Sequence, residues 1–287
     1  MKLSVIIPCH NAASTIGAQL EALAGQQWTE PWEVVVSDNG STDATRAIVD
    51  RYKGRLPNLR VIDSSDRRGA AHARNAGALA ATGDALAFCD ADDVVAPGWV
   101  AAIGAALARY DFVASRFDTE QLNVSWLQKS HTNPQRDGLN QYKYPPYLPH
   151  AGGSGLGIKR SIHEAAGGFD EPMHLLEDTD YCWRIQLMGI PLHFASEAVI
   201  NVRYPNTLGG IYRQARRYAE YNVLIYKKYQ PLGMPRLSWK ASAAAWSQLL
   251  QRLLRVRCKE DVARWVWNAG WRIGRLQGSI KYRILAL

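Results

Sequence analysis

Along the first ninety residues, short apolar runs alternate with longer stretches in which apolar residues recur at helical spacing. The runs at 3–8, 32–37, 59–63 and 85–89 are continuous and flanked by turn residues, as in strands buried on both faces. Between them, 14–26 carries Ile16, Leu20 and Leu23 on one stripe. A second helix follows the Ser41-Thr42-Asp43 cap to about residue 52, and a third covers 70–81. This βαβαβαβ order predicts a mostly parallel sheet flanked by helices.

Each strand leaves the core through polar residues: Cys9-His10-Asn11, then Asp38-Asn39-Gly40, then 63–68 ending in Arg67-Arg68, then Asp90-Ala91-Asp92-Asp93. Exits of parallel strands share one edge, where open α/β sheets bind their ligands. An amide, a carboxylate and arginines at that edge suit a nucleotide.

Further on, 97–110 reads as a helix with Val100, Ile103 and Leu107 inward, and 111–117 as a strand. Residues 118–150 have no clear period. Their Trp126, Tyr142, Tyr144, Tyr147 and His150 offer stacking surfaces for a ligand, or serve as packing aromatics. Gly152-Gly153-Ser154-Gly155 permits close backbone approach to a ligand. A helix starting at Lys159-Arg160-Ser161 ends at Gly167-Gly168. Glu177-Asp178-x-Asp180-x-x-x-Arg184 opens another, with Asp180 and Arg184 spaced to pair. A last strand spans 193–202, and helices are expected at 211–229, 237–256 and 260–285.

Charge divides the chain. Residues 203–287 hold 17 Lys/Arg against 3 Asp/Glu, and the first 202 residues hold 17 against 23. A basic tail on an acidic body points to an anionic partner. The last helix has an apolar row (Val262, Val266, Ala269, Ile273, Leu276, Ile280, Ile284) with Trp265, Trp267 and Trp271 beside it. That profile fits a segment lying in a membrane interface, or a helical subdomain packing on the body or in a homodimer. No apolar run reaches the roughly 18–20 residues that span a bilayer. The start has no signal-peptide form, and four scattered cysteines fit reduced thiols, so a cytoplasmic protein is expected, if membrane-associated then on the cytoplasmic face.

The chemistry concentrates in two acidic centres. At a strand end, residues i and i+2 point the same way, so Asp90 and Asp92 converge, and their repulsion calls for a cation, Mg²⁺ or Mn²⁺. An acid-rich helix start, with Pro97 following, is the other reading. Arg74 lies on a helix of small residues (Ala70, Ala71, Ala73, Ala76, Ala78) that packs close to the sheet, and it reaches the pocket rim or is an ordinary surface arginine. Glu177 and Asp178 face a cleft or complement a helix dipole.

Taken together, residues 4–11, 35–43, Gly69 with Ala73-Arg74-Asn75, Asp90-Ala91-Asp92-Asp93 and the Glu177-Asp178 pair resemble family 2 glycosyltransferases of the GT-A fold, over roughly residues 1–205. The resemblance implies a mixed, mostly parallel, Rossmann-like sheet as a catalytic domain at 1–205. Its nucleotide-binding half would be 1–95 and its acceptor half 96–205, followed by a basic helical extension at 206–287. It implies an inverting transfer of a sugar from a UDP- or dTDP-linked donor to an acceptor hydroxyl, with Mg²⁺ or Mn²⁺. Pro8 and His10 would line the base pocket, His10 standing where many relatives have Tyr. Asp38 would accept from the pyrimidine N–H, with Asn11 and Asn39 beside it, and Arg68 and Arg74 near base or phosphates. Asp90 would approach ribose or metal, with Ala91 between it and Asp92, which would bind the metal. Asp178 would be the catalytic base, paired with Glu177, and Gly153 and Ser154 would lie beside donor and acceptor, with Tyr147 and His150 as acceptor contacts. Asn201-Val202-Arg203-Tyr204 replaces a His found in many relatives, which leaves the third metal ligand open: His150 is a candidate, and Arg203 a diphosphate contact.

A sugar nucleotidyltransferase would share the fold but carry a Gly- and Arg-rich loop where this chain has Cys9-His10-Asn11-Ala12-Ala13. A nucleic-acid-binding protein could use the tail, but no such motif is present and none is expected to bind.

Overall fold

The computed structural model describes residues 1–56, 58–133, 135–142 and 145–286, without the side chain of Trp239. Strands β1 (Leu3–Cys9), β2 (Trp32–Asp38), β3 (Arg60–Asp63) and β4 (Ala85–Phe88) alternate with helices α1 (Ile16–Ala24), α2 (Thr45–Asp50) and α3 (Ala70–Ala80). They pair in parallel in the order β3-β2-β1-β4, as the hydrophobic pattern predicts. Val5, Ile6 and Ile7 are all fully buried, as are Val34, Val35 and Val36. Consecutive strand residues point to opposite faces, so both faces of this sheet are covered. α3 lies close on it because it is built of small residues: a β-carbon at Gly77 would come 2.5 Å from Ile6 Cγ2. The registers Cys9↔Asp38 and Asp38↔Asp63 bring three strand ends level.

The sheet continues through β5 (Val94–Val95), β6 (Phe112–Asp118), β7 (Leu156–Lys159) and β8 (His193–Asn201). The helices between are α4 (Trp99–Arg109), α5 (Ser125–Ser130), α6 (Arg160–Ala165) and α7 (Glu177–Leu187). Among the described residues the order is β3-β2-β1-β4-β7-β6-β8-β5, with β7 antiparallel to both neighbours and β5 antiparallel to β8. The mixed α/β architecture agrees with expectation, but β5 and β7 do not show in the hydrophobic pattern. β5 has two residues, and β7 merges with the glycines before it. Gly157 explains how β7 fits: a β-carbon there would press within 2.9–3.1 Å of Val113, Ile103 and Leu107.

The chain forms two compact units. Met1–Asp118, 135–140 and Pro149–Val202 make the sheet unit. Thr119–Asn133, 141–142, 145–148 and 203–286 make a helical unit. The helical unit contains α5, α8 (Leu208–Tyr229), a 3-10 turn at Gln230–Leu232, α9 (Trp239–Leu253) and α10 (Lys259–Tyr282). α8 buries Ile211, Ala215, Ala219, Val223 and Tyr226, one stripe at helical spacing. α10 meets it with Gly270, Gly274 and Gly278; a β-carbon on Gly274 would run into the carbonyl oxygen of Arg216. The inner face of α10 is thus this glycine stripe, whereas Leu276 and Ile280 of the expected apolar row are exposed. Trp267 instead packs on the cluster of Leu127, Ile211 and Ala263, and Trp265 donates its indole N–H to Leu249 O. Among the described residues, no helix is long and apolar enough to cross a membrane.

Candidate active site

The exits of β1 and β2 form one polar ledge. Pro8 is the penultimate residue of β1 and pairs with Ser37. His10 is exposed, its Nδ1 2.9 Å from the carbonyl of Asn39. Asn11 adopts a left-handed backbone (φ 49°), which asparagine tolerates, and its Oδ1 accepts from the Thr42 amide at 2.8 Å. Asp38 is buried; its Oδ1 accepts from the Ser41 amide at 3.0 Å, and Arg46 Nε lies 3.4 Å from Oδ2. Asn39 is taken up by the scaffold. Its Nδ2 donates to the carbonyls of Ser64 and Arg67, and its Oδ1 accepts from the Gly69 amide. It therefore ties the exits of β2 and β3 to the start of α3. Arg68 is exposed on the loop between them.

Arg74 is the centre of the site. It is 4% exposed, and its guanidinium donates to Asp90 Oδ1 and to Glu177 Oε1, both at 2.7 Å. Its place on the α3 face toward the sheet, among alanines, takes it inward instead of to the surface. A β-carbon at Gly153 would lie 2.8 Å from that guanidinium and push it off its two carboxylates, so glycine lets the 152–155 loop close over it undisturbed. The same loop links the two acidic centres: Gly153 N donates to Asp178 Oδ2 at 2.9 Å, and Ser154 Oγ accepts from Asp90 N at 3.1 Å. One arginine and one tight loop thus join the β4 exit to the first turn of α7.

Electrostatics follow from that burial. Burial pushes the Glu177 carboxyl up, Asp178 beside it adds to the rise, and Arg74 pulls it back only in part. Asp178 is pushed up by burial and by Asp90, against Arg74 and the amides of Thr179 and Gly153. Burial alone would lower the Arg74 pKa, but Asp90 and Glu177 outweigh it and keep it charged. A carboxylate with raised proton affinity is suited to taking a proton near neutrality. Leu176, immediately before α7, is left-handed (φ 59°), an uncommon conformation for leucine that sets the angle at which Glu177 and Asp178 enter. Asp180 pairs with Arg184 Nε at 2.8 Å, as the spacing predicts.

Carboxylate oxygens of Asp90, Asp92 and Asp93 lie within 4.8 Å of one another. The sequence pattern points to Asp90 and Asp92; the structure adds Asp93, which is buried. Three converging oxygen donors fit Mg²⁺ or Mn²⁺. His150 is outside this cluster. It is buried edge-on to Trp183, and burial pushes its pKa down to about 4, leaving a neutral ring. Tyr147 and Arg203 belong to the helical unit, where Tyr147 donates to Leu232 O at 3.0 Å. Tyr142 and Trp126 are there too, and Tyr144 lies outside the described residues. The sequence pattern points to Gly153 but not to the hydrogen bond its amide donates to Asp178, nor to Leu176, because neither a backbone donor's partner nor a φ angle is written in residue type.

Comparison with known proteins bears on this arrangement. The family model described as glycosyl transferase family 2 matches residues 4–167, and one described as glycosyl transferase family group 2 matches 86–277. The uncharacterized glycosyltransferase YwdF of Bacillus subtilis is 30% identical over 195 residues, covering 64% of this chain and 68% of that protein. The uncharacterized glycosyltransferase YibD of Escherichia coli is 36% identical over 125 residues, 44% of this chain; the match spans only 34% of the relative. Among solved structures, the mannosyltransferase PcManGT from Pyrobaculum calidifontis, in complex with GDP-Man and Mn²⁺, superimposes with a TM-score of 0.69. That likeness covers 96% of this chain and 86% of the other at 21% identity, and shows a shared GT-A fold. The first family model covers more than half of the chain, and its span takes in the strand exits, Arg74, the aspartate triple and the glycine loop. The chain therefore belongs to glycosyltransferase family 2.

Proposed function

We propose that this protein transfers a sugar, with inversion, from a nucleoside diphosphate donor to an acceptor hydroxyl, with Asp178 as general base. The observation that carries the proposal is the linkage of the aspartate triple to Glu177-Asp178 through Arg74 and the Gly153-Ser154 loop. It ties the carboxylates that would hold a cation to a carboxylate of raised proton affinity, which supports a displacement at an anomeric carbon. Asp178 takes the proton of the acceptor hydroxyl; the oxygen bonds to the anomeric carbon as the carbon–phosphate oxygen bond breaks, and the diphosphate leaves with the electron pair. A divalent ion held by Asp90, Asp92 and Asp93 would offset charge on the diphosphate. In this reading Asp38, whose carboxylate lies at the β2 exit, accepts from a ring N–H of the base, as uracil or thymine in a UDP- or dTDP-linked donor would present. Support for the metal is the oxygen donor set together with Mn²⁺ in the mannosyltransferase neighbour.

The test is a thermal-shift panel of UDP, dTDP and GDP with and without Mn²⁺, followed by turnover of the sugar donor that binds. Asp178→Asn is expected to keep donor affinity within about twofold and to lose on the order of 10²- to 10⁴-fold in turnover. Loss of donor binding by that variant would remove Asp178 from the role of base. Absence of any nucleotide-dependent shift would remove the donor class.

A further inference from the structure

The helical unit leaves one feature that the transfer reaction does not use: the corner between α9 and α10. Leu249 is buried there, but Leu250, Leu253 and Leu254 are 67%, 50% and 89% exposed. Positions 250, 253 and 254 fall on one helical face. Arg252 in the last turn of α9, and Arg255 and Arg257 in the connection to α10, are exposed as well. The charge around them is one-sided: residues 221–259 contain eight Lys/Arg and no Asp/Glu. The next carboxylates, Glu260 and Asp261, start α10, and Asp261 is engaged by Arg264 and by the Arg257 amide.

We propose that this corner, Leu250 to Arg257, is a docking surface for an anionic lipid bilayer, with the leucines entering the headgroup boundary and the arginines meeting lipid phosphates. Both halves of the patch are needed to choose the partner. Nucleic acid would satisfy the arginines and leave the leucines in water. A second copy of the chain would cover the leucines but set cation against cation across the contact. An anionic bilayer satisfies both, because apolar depth and surface phosphate lie within a few ångströms of each other. The sequence pattern points instead to the tryptophans of α10. The structure relocates the surface, since those rings are partly buried within the helical unit. The inference stands on exposure and charge and is independent of the reaction.

Cys258 supplies a probe in place. It is exposed, whereas Cys9, Cys89 and Cys182 are buried, so an environment-sensitive fluorophore can be attached there to the full chain. Vesicles of phosphatidylglycerol and phosphatidylcholine are expected to blue-shift the label and to carry the protein in flotation; pure phosphatidylcholine is expected to do neither. Arg252→Gln/Arg255→Gln/Arg257→Gln should weaken partitioning on the order of 100-fold, about fivefold per arginine. Leu253→Ser/Leu254→Ser should abolish the blue shift and reduce flotation at least tenfold. These side chains are exposed, and unchanged melting confirms that the variants fold. No blue shift of the unsubstituted protein on anionic vesicles overturns the proposal. So does flotation that is insensitive to the leucine pair, which would be charge adsorption alone. A dimer in light scattering that the leucine pair disrupts, without vesicle binding, would assign the corner to self-association instead.

Discussion

Replacing Arg74 by Met keeps most of the side chain's volume and removes its charge. In the native fold the guanidinium stands between Asp90 and Glu177, 2.7 Å from each, with almost no exposure. Removing one partner of a buried ion pair costs about 3–5 kcal/mol, because the remaining charge is left without compensation. That is a large part of the roughly 5–15 kcal/mol that holds a domain folded. The sign of its pH dependence follows from Glu177 and Asp178. Both carboxyls already have raised pKa values in the fold, and Arg74 restrains the rise. Without it both rise further. A raised carboxyl contributes stability below its unfolded pKa and loses it as pH climbs through the folded value. The deficit of the variant therefore widens with pH. At pH 8 it should reach the full 3–5 kcal/mol. At pH 5, with Glu177 protonated, only the pairing with Asp90 and the hydrogen bonds are lost, and the deficit should be smaller, about 1–3 kcal/mol. Urea unfolding followed at both pH values gives the comparison: with m on the order of 2–3 kcal/mol/M, the midpoint at pH 8 should fall by about 1–2 M. A deficit that is flat with pH, or larger at pH 5, would refute the account of Arg74 as the cation that keeps these acids ionised.

Other consequences are open to direct measurement. Asp92→Asn and Asp93→Asn should each weaken Mn²⁺ binding at least tenfold in calorimetry, while Asp66→Asn, on the β3 exit, should leave it unchanged; equal affinities would exclude the triple as the ion site. Gly274→Ala gains up to about 1 kcal/mol of helix propensity but forces α8 and α10 apart at the Arg216 carbonyl, so a net loss of about 1–3 kcal/mol is expected by thermal melting. Glu33 is buried, which alone would raise its pKa, but bonds from Ser4, Thr82 and Arg60 outweigh that and bring it down to about 2. Its contribution is present above the unfolded carboxylate pKa and is lost as pH falls toward 2, so the gap between the parent protein and Glu33→Gln should close with acid; a gap that opens would contradict the assignment.

How much of this is legible in residue order depends on the kind of information involved. The first four strands and their helices are local patterns, and each expected element appears within a few residues of its observed bounds. The strand exits follow, because parallel pairing puts them on one edge whatever the loops do. β7 is not legible, since its four residues become a strand only when β4 and β6 present edges on either side. The inner face of α10 misleads for a related reason. An apolar row is the usual mark of a packed face, but here contact with α8 is made where side chains are missing, at Gly270, Gly274 and Gly278, and Leu276 and Ile280 of that row are left in water. The inclusion of Thr119–Asn133 in the helical unit is likewise a tertiary fact, fixed by Leu127 meeting Ile211 and Ala263.

The position of Arg74 shows why the two acidic centres must be read together. Either one alone has an ordinary explanation, as an acidic loop or as the charged first turn of a helix. In the fold they share one cation: Asp90 is one of the proposed ion ligands, Glu177 stands next to the proposed base, and the same guanidinium binds both. A negative charge gained on one side is thereby felt on the other through a group with almost no solvent to screen it. Asp90 is also coupled to Asp178 by a second route, the Gly153 amide and the Ser154 hydroxyl, which spans two consecutive residues and so has little freedom to stretch. Filling the ion site should therefore draw Asp90 away from Arg74, leave more of the guanidinium for Glu177, and lower the proton affinity of the pair on α7. In that arrangement the base is readied by the same event that prepares the donor side. The consequence is measurable without turnover: adding Mn²⁺ to the unliganded protein should release protons near neutral pH, and Asp178→Asn should reduce that release while leaving Mn²⁺ affinity within about twofold. Proton release that is unchanged by Asp178→Asn would show that the two centres titrate independently.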